Sequence, residues 1–311
     1  MAAQGHRRRS AVATAVAGGL ALGLLVSGCA EQEPAEEAQD GSVGGGGEAR
    51  WAVRTADAVR PGRAVEAMRR VSGALARTGG ARVRTSMETE SGGTRLTILG
   101  RGVYDFTRPA GRLTVLVPED ARGAEEHRPI TEVFTPGALY MKNRGAGVPP
   151  DKWVRLDTAA LADGDLLTSG ATDPLAAAEL LGGAREVTSM RDEGLDGMPV
   201  RHFWGTIDLA EAARRAPERD RAVLAAAARG FSAGTVAFDA FLDEEGLPRL
   251  LRYRFGVGGG RDGEGRDGGG PGKRTTTVVS TVELSSFGFA PDIRLPESAD
   301  IYAGTVGSPR K

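Results

Sequence analysis

Cysteine, lysine and histidine are scarce in this chain of 311 residues, and a long hydrophobic run is missing. After Cys29 there is no cysteine, so the rest of the chain can form no disulfide and perform no thiol chemistry. Its 40 Lys and Arg residues nearly balance 41 Asp and Glu residues, which argues against a nucleic-acid partner because such partners need a basic surface. Only four of the basic residues are lysine, a bias typical of a high-G+C actinobacterial genome.

The amino terminus has the three parts of an export signal. A basic segment at residues 6–9 precedes an apolar stretch at 11–26 and the small residues Ser27 and Gly28. The stretch is shorter than the roughly 20 apolar residues that a membrane-spanning helix needs. We therefore predict a signal peptide over residues 1–28, with export by either the Sec or the Tat route.

The run Val26-Ser27-Gly28-Cys29 resembles the lipobox of bacterial lipoproteins. The resemblance implies cleavage before Cys29 and a diacylglyceryl group on its sulfur. The alternative is an ordinary secretory signal with a stray cysteine, which the position of Cys29 at the cleavage site disfavours. Because more than one acyl chain gives a lasting anchor, we expect the protein on the extracytoplasmic face of the cell membrane.

Composition divides the remaining chain into a tether and one domain. Residues 29–50 are acidic and glycine-rich, which predicts a flexible tether. Residues 51–303 are long enough to bury one sizeable core. Within them, the run of Gly, Arg and Asp at residues 257–273 predicts a disordered insertion in a hairpin.

Hydrophobic periodicity predicts an α+β fold. Val65, Met68, Val71 and Leu75 recur at helical spacing, and alternation with a period of two follows from Val83 onward. Helix starts are predicted at Asp173-Pro174 and at Asp208 with Glu211, the second helix extending past Pro217 toward Ala228. The pattern indicates ten or eleven antiparallel strands with three helices between them. Since an apolar strand face must be covered, we expect a curved antiparallel sheet, a half-barrel, with helices on its concave face.

Two motifs match catalytic or cofactor-binding patterns but lack the secondary structure that these patterns require. Residues 230–234 match G-x-S-x-G around Ser232, but a predicted helix precedes the serine and a strand follows it, the reverse of a nucleophile elbow. The candidate bases, His127 and His202, both lie upstream of it. Residues 258–263 match G-x-G-x-x-G, but no helix follows to hold a pyrophosphate.

The candidate metal ligands are equally weak. Asp243, Glu244 and Glu245 are adjacent on a predicted hairpin turn, where a solvated turn is favoured over a calcium site. His202 has no ligand-type residue near it in sequence. We therefore expect neither an enzyme nor a cofactor or metal site.

Aromatic side chains on predicted strands remain as candidates for a ligand cavity. Ordinary core packing is the alternative for each, because a filled and a hollow core both need inward apolar residues. The candidate lining residues are Phe134, Tyr140, Trp153, Phe203, Phe238 and Phe241.

Several short motifs carry a family resemblance. They include the runs 102–106 (GVYDF), 139–142 (LYMK), 152–154 (KWV), 202–208 (HFWGTID) and, most distinctive, 241–249 (FLDEEGLPR). In this order, between residues 59 and 296 and after a lipobox and tether, they resemble the actinobacterial lipoproteins of the LppX/LprG group and, more distantly, the LolA/LolB carriers. The resemblance implies an open half-barrel whose apolar cavity takes acyl chains, and lipid binding or shuttling without catalysis.

The expected partners follow from these features. They are the membrane, through diacylglyceryl-Cys29, a lipid or glycolipid ligand, and an envelope protein. The alternative function is a sensory or protein-interaction lipoprotein with a solid core. The identity of the ligand, the oligomeric state and the filling of the core stay open at this point.

Overall fold

The structure is a computed structural model, and it describes residues 61–91, 94–118, 128–144, 147–231, 233–258 and 275–304. All of them belong to the compact unit Arg54–Lys311. The signal peptide, Cys29, the tether, His127, Ser232 and all but the first residues of the glycine-rich insertion lie outside the described residues, so the hypotheses on them stay predictions.

The described strands form one antiparallel sheet of eleven strands. Its order is β6-β5-β4-β3-β2-β1-β11-β10-β9-β8-β7, and β6 and β7 are its open edges. The strands are β1 Gly80–Ser91, β2 Thr94–Asp105, β3 Ala110–Leu116, β4 Ile130–Thr135, β5 Ala138–Lys142, β6 Trp153–Asp157, β7 Ala184–Leu195, β8 Met198–Asp208, β9 Thr235–Leu242, β10 Pro248–Gly258 and β11 Thr275–Phe289. The predicted fold class, a curved and open antiparallel half-barrel, is confirmed.

Four α-helices accompany the sheet in the described part of the chain, where the sequence predicted three. They are α1 Pro61–Leu75, α2 Pro174–Leu180, α3 Leu209–Arg215 and α4 Glu218–Gly230. The predicted third helix divides at Pro217, which has no N–H to continue α3 and stands immediately before α4. The other predicted starts are confirmed: the Asp173 side chain accepts hydrogen bonds from two amides of α2, and Asp208 accepts one from Glu211. None of the helices in the described ranges is long and apolar enough to cross a membrane.

The sheet has two chemically different faces, because successive strand residues point to opposite sides. On β1, Val83, Thr85 and Met87 are buried, whereas Arg82 and Arg84 are exposed. The face with Val83 packs on the helices and is called the inner face, and the other is called the outer face. Met68, Val71 and Leu75 of α1 belong to the same buried cluster as Val83.

The space between the inner face and the helices is filled. Its largest side chains, Tyr104, Phe106, Phe238, Tyr253 and Phe255, are 2% exposed or less. A cavity beside Tyr104 and Phe134, under α2 and α4, measures only ≈ 40 Å³. Such a cavity has room for water, since about 10–15 Å³ suffices for one molecule, but none for an acyl chain. Among the described residues, the core between sheet and helices is therefore solid.

Candidate functional site

An open apolar groove lies at one end of the sheet and is called the end groove. It measures ≈ 490 Å³ and lies between the ends of β1, β2, β10 and β11, the loop after β6 and the end of α4. Its apolar lining residues are Met87, Ile98, Leu167, Phe231, Val257 and Val278, and its polar ones include Thr89, Asp163, Thr168 and Thr276. Volumes of about 300–1,000 Å³ are typical of small-molecule sites.

One wall of the end groove is the segment 161–172, called the covering loop. The Asp163 carboxylate holds its first turn by accepting hydrogen bonds from the backbone amide of Leu167 (2.9 Å) and the hydroxyl of Thr168 (2.9 Å). Asp165 accepts one from the amide of Ser169 at 3.1 Å. These side-chain bonds replace the ladder bonds that a strand would supply, so the loop has a defined conformation.

The covering loop packs on α4 at a glycine. A Cβ atom at Gly230, the last residue of α4, would overlap the carbonyl oxygen of Ala162. Gly164 meets the same helix with a φ of +60°, and a Cβ there would overlap the carbonyl oxygen of Val223. Both contacts need a residue without a side chain, so the wall of the groove depends on them.

Buried carboxyl groups lie behind the covering loop. Burial raises the pKa of Asp165 to about 8, with the nearby Asp163 charge acting in the same direction. Burial also raises the pKa of Glu132 on β4 well above its usual range, and Asp165 adds to this effect. Both oxygens of Glu132 lack a hydrogen-bond partner among the described residues, which favours the protonated form.

Two further carboxyl groups share this behaviour. Burial raises the pKa of Asp173 to about 6, although the Tyr104 hydroxyl donates to it at 3.2 Å. Burial raises the pKa of Glu179 to about 7 despite Arg219 at 3.4 Å. Within the described residues, no three His, Cys, Asp or Glu side chains form a group that could hold a metal.

The six aromatic candidates divide between the two faces. Phe134, Phe203 and Phe238 lie on the inner face and are almost fully buried in the core cluster. Phe134 touches the ≈ 40 Å³ cavity, and Phe203 borders a shallow surface depression at Val200 and Leu242. None of the three lines the end groove.

The other three candidates lie on the outer face, which corrects their assignment to a space beneath the helices. Their register explains the placement. Tyr140 pairs with Val133 and Arg155, and Trp153 pairs with Lys142, whose amine lies 5.8 Å from the indole centroid. Phe241 stacks on His202 at 4.1 Å. The sequence did not show which aromatic residues lie on the inner face, because alternation indicates only which residues of a strand share a face.

The environment of His202 also differs from expectation. No acidic residue is near it in sequence, but its Nε2 lies 3.0 Å from Asp239 on β9 and its Nδ1 lies 3.4 Å from Glu193 on β7. Asp239 in turn accepts from Arg254 at 2.8 Å. With the stacked Phe241 these side chains form a polar cluster on the outer face, in which His202 Nδ1 has no hydrogen-bond partner among the described residues.

The Asp243 turn has a structural role. Its Oδ1 accepts from the amides of Glu245 (3.0 Å) and Leu247 (2.9 Å), and its Oδ2 from Arg249 (2.8 Å). Glu244 and Glu245 are exposed. The segment 243–247 is thus a hairpin turn, as predicted, and the Asp243 carboxylate closes it through these hydrogen bonds.

The residues of the end groove were missed by sequence reasoning. Phe231 stands inside the G-x-S-x-G motif, and Ile98 follows ordinary strand alternation. Val257 was predicted to begin the disordered insertion, but β10 continues to Gly258, so the first two residues of the predicted insertion belong to a strand. Leu167 lies in a loop with no period. Only the three-dimensional meeting of four strand ends with a loop and a helix end brings them together.

The structure thus defines a class of architecture: an open antiparallel half-barrel, filled by helices on its inner face, with an apolar groove at one end. No protein-family model matches the chain, and no curated protein matches it in sequence. Solved structures match the chain in fold at low sequence identity, and they include lipoproteins of the LppX group and LolA superfamily proteins, to which the sequence motifs predicted a resemblance.

Three of these structures illustrate the likeness. The lipoprotein LppX of Mycobacterium tuberculosis is 10% identical, with 76% of this chain and 100% of that chain covered and a TM-score of 0.44. LprF of Mycobacterium bovis is 13% identical, with 76% and 97% covered and a TM-score of 0.37. A LolA superfamily protein of Nitrosomonas europaea is 12% identical, with 76% and 96% covered and a TM-score of 0.27.

Proposed function

We propose that this protein is a membrane-anchored extracytoplasmic lipoprotein that binds the acyl part of a lipid or other amphiphile in the end groove. One observation carries the proposal: among the depressions of ligand size in the described residues, the groove of ≈ 490 Å³ is the one with a mostly apolar lining at the open end of the sheet, whereas the interior cavity measures ≈ 40 Å³. This observation supports a ligand site at the end of the sheet rather than in the core beneath the helices.

The lining gives the groove a preference for amphiphiles. Met87, Ile98, Leu167 and Val278 offer apolar surface to a hydrocarbon chain, whose burial is worth roughly 25 cal/mol per Å². Thr89, Asp163 and Thr168 line the same groove, so polar residues border the apolar surface at the place where a headgroup would lie. Binding of this kind is non-covalent and uses no catalytic group.

A titration of a fluorescent fatty acid tests the proposal. The chain from residue 29 with Cys29→Ser keeps every residue that the structure describes. Two substitutions fill the groove, Leu167→Trp and Val257→Trp, and Leu295→Trp adds the same side chain at an exposed position outside it. We expect each groove variant to weaken binding by about tenfold, equivalent to ~1.4 kcal/mol, and the control to bind like the unsubstituted chain.

Two results would contradict the proposal. One is the absence of saturable fatty-acid binding by a folded chain. The other is an equal loss of binding in the groove variants and in the Leu295→Trp control.

The solid core favours a second candidate, a protein-interaction lipoprotein without a lipid ligand. In that case the chain captures one envelope protein in a stoichiometric complex, and native mass spectrometry of the purified chain shows no bound lipid. Retention of lipid through purification decides against this candidate.

A further inference from the structure

Four arginines lie side by side on the outer face and are called the arginine patch. Arg82 and Arg84 lie on β1, Arg101 on β2 and Arg112 on β3. In the register of the sheet, Arg84 stands directly opposite Arg101, and Val103 stands between Arg82 and Arg112. All four side chains are exposed.

The arginine patch is not a network of ion pairs. None of its four residues has an ion pair or side-chain hydrogen bond among the described residues, and like charges directly opposite each other destabilise a sheet. Elsewhere on the outer face an arginine can be paired: Arg254 lies 2.8 Å from Asp239. The one acidic side chain in register with the patch is the exposed Glu283, across from Arg84 on β11. Folding alone therefore does not account for the patch.

Exposed leucines adjoin the arginine patch. Leu99 on β2 stands opposite Leu116 on β3, and the two are 50% and 37% exposed. Together with Arg84, Arg101 and Glu283 they border a shallow depression of ≈ 420 Å³. The two leucines and the neighbouring unpaired cations form a contiguous apolar and basic surface, and contiguous exposed apolar surface is frequent at interaction sites.

We infer that the arginine patch docks on the surface of a membrane that contains anionic phospholipids. Guanidinium groups bind phosphate oxygens in a bidentate manner. Leucines beside them enter the boundary between headgroups and acyl chains. An acidic protein would pair with the arginines. It would not by itself explain why the exposed pair Leu99 and Leu116 lies next to them.

The chain outside the described residues favours a membrane over a protein partner. The sequence predicts a lipid anchor at Cys29 and a flexible tether that ends at residue 50. A flexible linker of this length spans roughly 25 Å between its ends. The outer face can thus reach the bilayer that holds the anchor, where a weak electrostatic contact becomes an intramolecular one.

Vesicle flotation tests the inference. The chain from residue 29 with Cys29→Ser removes the anchor, so that binding depends on the folded domain. We expect it to float with vesicles of phosphatidylcholine and phosphatidylglycerol, to remain free of vesicles of phosphatidylcholine alone, and to be released by salt. The double variant Arg84→Gln/Arg101→Gln should reduce binding about tenfold or more.

A matched control separates the patch from net charge. Arg69→Gln/Arg77→Gln removes two exposed arginines of α1 and of the turn after it, and so changes the charge equally. We expect it to bind anionic vesicles like the unsubstituted chain. Since Arg84 and Arg101 repel each other in the fold, their replacement should leave the free energy of unfolding unchanged or higher.

Three outcomes would overturn the inference. The first is an equal loss of binding in the two double variants, and the second is equal binding to neutral and anionic vesicles. The third is that the arginine patch binds an acidic envelope protein but does not bind vesicles. The fatty-acid titration is independent of this result. The Arg84→Gln/Arg101→Gln variant keeps the end groove intact, so failure of the patch and failure of the groove proposal are distinguishable.

Discussion

The hydroxyl oxygens of Thr172 and Ser280 lie 2.6 Å apart in the buried interior and join the end of the covering loop to β11. Thr172 also donates to the carbonyl oxygen of Leu166 at 2.8 Å. Ser280 pairs in register with Met87, one of the residues of the end groove. The position of the groove wall is therefore linked to the inner face of the sheet by one hydroxyl pair.

Thr172 takes part in two of these hydrogen bonds and Ser280 in one, so removing the two hydroxyl groups should lower the free energy of unfolding by different amounts. Thr172→Val leaves the Ser280 hydroxyl and the Leu166 carbonyl without their partner, so we expect it to lower the free energy of unfolding by about 1–3 kcal/mol. Ser280→Ala leaves the bond from Thr172 to Leu166 intact, and it should cost less. Urea unfolding of the two variants measures both values. A larger cost for Ser280→Ala would show that the bond to Leu166 does not contribute.

The strands and helix starts were accessible from the sequence because they depend on local patterns. Alternation from Val83 to Met87 and the Asp173-Pro174 start are properties of neighbouring residues. The covering loop is different. Asp163 and Asp165 hold it through bonds to amides two to four residues away, and such bonds leave no periodic trace in a sequence.

The candidate site was less predictable than the fold. Alternation indicated that Phe238 and Phe241 are on strands, but one points to the core and the other to His202 on the outer face. Which alternate set of strand residues faces the core depends on the side of the sheet on which the helices pack. The volume left between the packed elements decides whether a core is hollow, and no single residue encodes it.

A second prediction concerns Tyr253. Its hydroxyl donates to the carbonyl oxygen of Ala177 at 2.6 Å. Ala177 belongs to the last turn of α2, where carbonyl groups lack a partner within the helix. Tyr253→Phe should therefore lower the free energy of unfolding by about 1–2 kcal/mol without a change of fold. Urea unfolding with circular dichroism measures the change, and a neutral substitution would mean that another donor reaches this carbonyl.

The buried carboxyl groups predict that stability falls as pH rises. The folded pKa of Asp165 is about 8, that of Glu179 about 7 and that of Asp173 about 6, all above the ordinary values. Between the unfolded and folded pKa values, the native state binds more protons than the unfolded state. The free energy of unfolding is therefore highest below pH ~4 to 5 for these groups and decreases up to about pH 8.

Thermal unfolding across this range measures the effect, with Asp165→Asn as the matched variant. Asparagine keeps the acceptor for the Ser169 amide and cannot ionise. We expect the unsubstituted chain to lose about 2 kcal/mol or more between about pH 5 and pH 8, and the variant to lose less. Parallel pH profiles for the two chains would show that Asp165 titrates as an exposed carboxyl group.

Gly230 gives a prediction in which two physical effects have opposite signs. In a helix, alanine is favoured over glycine by about 1 kcal/mol, so helix propensity alone predicts that Gly230→Ala stabilises the protein. The new Cβ, however, would overlap the carbonyl oxygen of Ala162 in the covering loop, and backbone displacement in a packed region costs typically 1–3 kcal/mol. We expect a net loss in the free energy of unfolding and weaker fatty-acid binding, because the displaced loop is a wall of the end groove.

Gly234→Ala is the control, since a Cβ there meets nothing within 4 Å. Stabilisation by Gly230→Ala would show that the covering loop moves away from α4 at little cost, and the groove would then have to be regarded as adaptable in width.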